Sequence, residues 1–382
     1  MGWPRIAMPR DIGIVCLGDS HTEGKLPSVT SGANVTGIYP LNGSRDLDWD
    51  GSADRTPFRG VNHINVSTGT QDGNCGVAAN NASFSIYLPQ ILRRCSPRVG
   101  RVRIANGGIG GSSSFSWSSN VAKGYLLVNS LPNVNDTFTL GSTTYTFVAA
   151  AANPNEITIA GTVLAQATNI ANAINAEGTG WGAGTTANAD GFVSPLPSNG
   201  YVGILSTASG TAGNGVTLSV NAGGRVTVFV AMSGGTAASS LLTNMIARVP
   251  AGFGPVDIVT ITLGTNDSTI VGWRGRGFET HMATFLAAVE AQWPNAKVVL
   301  WKPPVTTAGA AATTALTTRI NPAVAALVAA NPTVRSYVDM YSLGAGAAET
   351  LILDSGGVHL TGYGYSLVAE AFAGAIATAL GI

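Results

Sequence analysis

The sequence predicts an α/β fold, with a central parallel sheet covered by helices on both faces and interrupted by a smaller, β-rich α+β module. Three observations predict it. Five short apolar runs enriched in β-branched residues, at 12–17, 102–105, 256–263, 297–301 and 334–338, read as strands. Helical patterns separate the later runs, so strands apolar on both faces alternate with helices, the signature of a covered parallel sheet. Between them, 121–238 abandons this rhythm for short alternating segments rich in Thr, Gly, Ala and Asn, its only charges being Lys123, Asp136, Glu156, Glu177, Asp190 and Arg225.

The helices follow from apolar spacing. Met282, Phe285, Leu286, Val289 and Trp293 fall on one helical face, and Leu316, Ile320, Val324 and Leu327 on another, with a kink expected at Pro322. The stretch 361–380 forms a last helix with Leu367, Phe372 and Ile376 turned inward, and 239–249 forms one leading into the third strand. Within 121–238, the segments 137–140 and 143–148 flank Gly141-Ser142, a pair suited to a type II′ hairpin. An amphipathic helix carries Val163, Leu164, Ala167, Ile170, Ala171 and Ile174, and 216–220 with 226–230 suggest a second hairpin. The expected organisation is 1–120 and 239–382 as two parts of one domain, with 121–238 inserted. The stretch 25–90 has few helix signals and reads as a long loop.

With 382 residues the chain can bury a large core. Lys+Arg and Asp+Glu are balanced at 20 each, giving no electrostatic reason to expect nucleic acid as a partner. Charged residues are only 10% of the chain, yet no apolar run is long enough to span a bilayer, so membrane insertion is not expected. No signal peptide is seen in 1–11, which leaves a cytoplasmic protein, one released by lysis, or one that has lost a leader. Cys16, Cys75 and Cys95 have neither the number nor the spacing of a disulfide framework or zinc site, and Cys16 reads as core. No metal or other cofactor is expected.

Four short blocks fall where predicted strands end or a last helix begins, the edge at which open α/β sheets bind ligands. Gly18-Asp19-Ser20 follows the first strand, where a serine can project as a nucleophile; taken alone, it is equally a helix N-cap. Asn106-Gly107-Gly108-Ile109-Gly110-Gly111-Ser112 follows the second and offers backbone N–H donors. Gly264-Thr265-Asn266-Asp267 follows the third, where an Asn amide can face a developing oxyanion, although Asn and Asp are also plain turn formers. Asp354-Ser355-Gly356-Gly357-Val358-His359 precedes the last helix and supplies an imidazole with a carboxylate nearby.

In this order the blocks resemble those of the SGNH (GDSL-type) hydrolases. The resemblance implies a three-layer α/β/α, flavodoxin-like sandwich and a serine esterase. It implies Ser20 as nucleophile and His359 as general base. The N–H groups of Ser20 and Gly111 and the Asn266 amide would form the oxyanion hole. The family usually places its aspartate three residues before the histidine, where this chain has Gly356. Asp354, five before, is the favoured third member; a Ser20–His359 dyad held by a backbone carbonyl and help from Asp339 are the alternatives.

Segments of the insert, beginning at Asp136, Thr168 and Gly210, are similar to modules of bacteriophage tail and surface-fibre proteins. Together these resemblances imply hydrolysis of O-acyl, chiefly O-acetyl, esters on a bacterial surface polysaccharide, by a virion component or one released by lysis. Its partners would be the acylated carbohydrate, other tail or fibre subunits, and further copies of the chain. The insert would stand beside the cleft and position a large substrate or a neighbouring subunit. A lipase, lysophospholipase or thioesterase, and a non-catalytic carbohydrate-binding or structural tail module, are the competing expectations. His21 is expected to touch substrate, and Trp49, Trp117 and Trp273 to offer sugar-stacking faces. His63 and His281 read as structural.

Overall fold

The computed structural model describes residues 9–19, 61–65, 84–108, 112–237, 239–249, 251–305, 309–343, 360 and 362–382. The chain divides into two compact units. One draws on Met1–Ser113, Thr243–Asn266 and Leu286–Ile382, the other on Ser114–Leu242 and Asp267–Phe285.

Among the described residues the first unit has six strands: β1 (Arg10–Gly18), β2 (Val61–Asn65), β3 (Val99–Gly108), β4 (Ile258–Thr262), β5 (Lys297–Lys302) and β6 (Arg335–Asp339). They form one sheet in the order β6-β5-β4-β1-β3-β2, and every pair is parallel. The mixed α/β architecture with a central parallel sheet is therefore as expected. All five sequence-predicted strands are present, and β2 is an additional one, inside the stretch read as a loop.

Both faces of the central strands are buried, which is why they read as continuous apolar runs. On one face Ile12, Ile14, Cys16, Ile104, Val299 and Trp301 pack with α1 (Phe84–Cys95) and a C-terminal helix, Gly362–Leu380. Val15, Leu17, Val259, Ile261, Val298 and Leu300 alternate with them and are equally buried. Each such side chain contributes about 1.5–3 kcal/mol by leaving water. Cys16 is a core residue as expected; complete burial pushes its thiol up to about 12, far from a reactive thiolate.

The segment around Pro322 does not simply kink. Helix Ala310–Ala315 passes into a π-helical turn, Leu316–Ile320, and then into helix Asn321–Ala330, which packs on β5 and β6. The Asn321 N–H bonds to the Leu316 carbonyl across the wider turn, so the missing N–H of Pro322 falls where a fresh helical segment begins. None of the helices among the described residues is long and apolar enough to cross a membrane.

The second unit contains two four-stranded sheets. One takes Leu218–Asn221, Thr137–Leu140, Thr143–Val148 and Glu156–Thr158 in that order; the other takes Val226–Ser233, Lys123–Val128, Tyr201–Ser206 and Gly191–Val193. Side chains of both sheets and of helix Val163–Asn175 share one core, including Leu126, Phe138, Tyr145, Phe147, Ile170, Ile174 and Val202. The first hairpin forms with the expected strands. Gly141 takes φ 60° while Ser142 does not, as a type II′ turn requires, and a Cβ on Gly141 would sit 1.7 Å from Asp190 Oδ2.

The second expected hairpin is corrected. The turn exists, with Arg225 N–H bonding to Ala222 O, but Leu218–Asn221 pairs with Thr137–Leu140 while Val226–Ser233 pairs with Lys123–Val128. The chain turns a corner between two sheets instead of closing a ladder.

His281 is structural, as expected. Its Nε2–H donates to Thr207 O at 2.9 Å, and its Nδ1 lies 2.6 Å from Ser118 Oγ. A carbonyl can only accept, which fixes the proton on Nε2 and leaves Nδ1 to accept from the serine. Burial lowers the His281 pKa despite the opposing bond to Thr207, so the folded chain keeps the ring neutral while the unfolded chain protonates it near 6.5. The stabilisation is therefore complete above about pH 6.5 and is lost as pH falls through that value toward the depressed folded pKa. Thermal unfolding followed from pH 8 to pH 5 should show this decline, and His281→Gln should flatten it.

Candidate active site

The ends of three strands are level. Gly18, the last residue of β1, pairs with Gly108, the last of β3, and with Thr262, the last of β4. Because these strands run parallel, the segments that follow all leave the same sheet edge. Those segments carry Ser20, Gly111 and Asn266.

Specific bonds tie the three exits together. Asp19, fully buried, donates its N–H to Thr262 O at 3.2 Å. Ser112, directly after Gly111, donates its Oγ–H to Gly18 O at 3.1 Å and accepts Asn266 Nδ2–H at its carbonyl at 2.8 Å. One serine thus links the first block to the third. Upstream, buried Asn106 accepts the Gly108 N–H at 3.0 Å and shapes the turn out of β3.

The third block depends on its glycine. Gly264 has φ 119°, and a Cβ there would lie 2.7 Å from Pro303 Cγ and 2.9 Å from Ile320 Cγ2. No other residue fits without displacing those neighbours. Beside it, Trp301 donates its indole N–H to Leu263 O at 2.9 Å. Asn266 then lies in the short helix Thr265–Thr269, half-buried, with its amide plane set by the bond to Ser112.

Asp267 was legible in the sequence only as a turn former. It is fully buried: Ser114 donates its N–H to both carboxylate oxygens at 3.1 and 3.0 Å and its Oγ–H at 2.5 Å, and Trp273 donates its Nε1–H at 2.8 Å. Burial raises its pKa despite these donors.

Ser20, His21, Trp49, Gly111, Asp354 and His359 lie outside the described residues, as does the side chain of His63, whose backbone belongs to β2. Leu360, next to His359, is fully buried in the core of the first unit. The stacking role expected of Trp117 and Trp273 gives way to packing, because both indoles are fully buried and present no ring face to a sugar. Trp117 packs on Phe285 at 5.4 Å between ring centroids, and Trp273 on Phe115, Phe192 and His281 at 5.3, 5.1 and 5.3 Å. Asp339 pairs with Lys302 at 3.3 Å and accepts the Ser342 N–H at 3.0 Å. Among the described residues, no three His, Cys, Asp or Glu side chains are grouped as a metal would require.

A search of curated proteins finds no match. Among solved structures the chain is similar to Est24, a carbohydrate acetylesterase from Sinorhizobium meliloti, at 12% identity and TM-score 0.36, covering 96% of this chain and 99% of that one. It is also similar to a carbohydrate esterase family 2 enzyme with a carbohydrate-binding domain from Corynascus thermopiles (Myceliophthora fergusii), at 15% identity and TM-score 0.27, covering 69% and 92%. A peptidoglycan O-acetylesterase follows at 8% identity and TM-score 0.34, covering 98% and 92%. The matched family model spans the Asn266 and His359 blocks and begins after those of Ser20 and Gly111. The chain is thus a mixed α/β protein with a central parallel sheet that carries, over residues 179–367, a match to the GDSL-like Lipase/Acylhydrolase family.

Proposed function

We propose that this chain is a serine ester hydrolase that removes O-acyl groups, chiefly O-acetyl, from a carbohydrate. The observation that carries the reading is the level ending of β1, β3 and β4, tied by Ser112, at the edge from which the Ser20, Gly111 and Asn266 segments depart. The family match over 179–367 supports acyl hydrolysis as the reaction class. The carbohydrate half rests on the likeness of the insert to fibre modules, which also directs the proposal to a virion component meeting a host surface polysaccharide.

In the proposed mechanism His359 takes the proton of the Ser20 hydroxyl as its oxygen attacks the ester carbonyl. The tetrahedral oxyanion accepts hydrogen bonds from the N–H groups of Ser20 and Gly111 and from the Asn266 amide. Collapse expels the sugar alcohol, which leaves with the proton from His359. Water, activated by the same imidazole, then releases the acid and restores Ser20.

Hydrolysis of p-nitrophenyl acetate, butyrate and palmitate tests the reading. Acetate is expected to be preferred, and acetate release from acetylated polysaccharides to follow. A preference for palmitate would turn the assignment to a lipase, and inert folded protein would leave a binding or structural module. Within the mechanism, Asn266→Ala should lower kcat about 100-fold or more, because one oxyanion donor is worth about 3 kcal/mol. Steady-state kinetics on the acetate ester measure this.

A further inference from the structure

We infer that Asp267 is a positioning residue for the Asn266 amide, acting through its clamp on Ser114 and the Trp273 indole. The inference deepens the esterase reading above and rests on it. A buried carboxylate is costly unless its oxygens are satisfied, and every group that meets Asp267 here is a donor. The donors are themselves fixed. Ser114 and Trp273 are fully buried, and the indole is held edge-on to Phe115.

The geometry makes two neighbouring ties. Asn266 donates to the carbonyl of Ser112, while the next residue, Asp267, accepts from the N–H of Ser114 two positions further on. The side chains of 266 and 267 thus grip the same short segment, 112–114, one as donor and the other as acceptor. That segment begins directly after Gly111. The Asp267 clamp sets the peptide from which the Asn266 side chain springs, and an oxyanion donor is effective only within about 2.7–3.1 Å of its target. A small rotation of this peptide costs rate without altering substrate binding.

The test is a double-mutant cycle on p-nitrophenyl acetate, with Asp267→Asn and Asn266→Ala made singly and together, Ser20→Ala as control, and unfolding temperature followed throughout. Asp267→Asn places an NH2 group among donors. It should lower kcat about 10- to 100-fold with KM within about twofold. In the Asn266→Ala background the same change should cost less than about threefold, since the amide it positions is gone. A purely structural carboxylate would impose the same loss in both backgrounds, and that result, or an unchanged kcat, overturns the assignment. Trp273→Phe keeps an aromatic side chain, though a smaller one, and removes the indole donor, so it repeats the cycle should Asp267→Asn fail to fold; a fall of about 3- to 10-fold confined to the Asn266 background is expected. Activity that survives Ser20→Ala overturns the esterase reading and this inference together. Ser20-dependent activity with multiplicative losses overturns this inference alone.

Discussion

Ser20→Ala is expected to reduce kcat on p-nitrophenyl acetate by at least about 10³-fold in protein that keeps its unfolding temperature. The expectation follows from how the proposed catalysis divides. Deleting the nucleophile of a serine hydrolase has cost about 10⁶-fold in a well-studied protease, while the oxyanion hole and substrate binding retain roughly 10³–10⁴-fold over water. The comparison is made on variant protein whose unfolding temperature matches the wild type, so that a fall in turnover reports loss of the hydroxyl and not loss of the fold. A fluorophosphonate should label the wild-type chain at Ser20 and leave Ser20→Ala unlabelled. Equal labelling or equal turnover of the two proteins would remove the serine mechanism.

The parts of this site that the sequence made legible are those written in local chemistry. β1 and β4 are short, doubly buried runs, and the glycine of Gly264-Thr265-Asn266-Asp267 answers to a backbone angle and to Pro303 and Ile320. What stayed hidden depends on distant partners. Strand β2, Val-Asn-His-Ile-Asn, alternates too briefly to stand out from a polar stretch, and helix Phe84–Cys95 carries Pro89 in its interior. The second hairpin failed because nothing local tells a strand that its neighbour in sequence will join another sheet. The segment Asp267–Phe285 reads as a loop and a helix following β4, yet it is bound into the second unit. There Arg274 pairs with Glu177, Arg276 donates to Asn188 O, and His281 donates to Thr207 O. Trp117 and Trp273 illustrate the same limit. An indole is as suited to a core as to a sugar, and burial alone separates the two uses.

Asp354→Asn is expected to lower kcat about 10⁴-fold, the loss seen when the acid of a serine triad is replaced by its amide and the imidazole is held in the wrong tautomer. The Gly356-Gly357 pair supplies the backbone freedom by which a carboxylate five residues before His359, instead of three, can turn back to the ring. The competing carboxylate, Asp339, is poorly placed for that work. It ends β6, three strands from β1 in the sheet, a separation of about 14 Å at roughly 4.8 Å per strand. Its oxygens are already engaged by Lys302 and the Ser342 N–H. Burial would raise its pKa, but those two groups outweigh it and hold the carboxyl below its ordinary range, as befits a settled ion pair. Asp339→Asn should therefore leave kcat within about threefold, the scale of an exposed pair worth under 1 kcal/mol. Near-wild-type turnover in Asp354→Asn, with Asp339→Asn equally mild, would mean a Ser20–His359 dyad oriented by a backbone carbonyl. A large loss in Asp339→Asn would instead move the triad to the far side of the sheet edge. Steady-state kcat for the two variants, measured side by side with unfolding temperatures, separates the three arrangements.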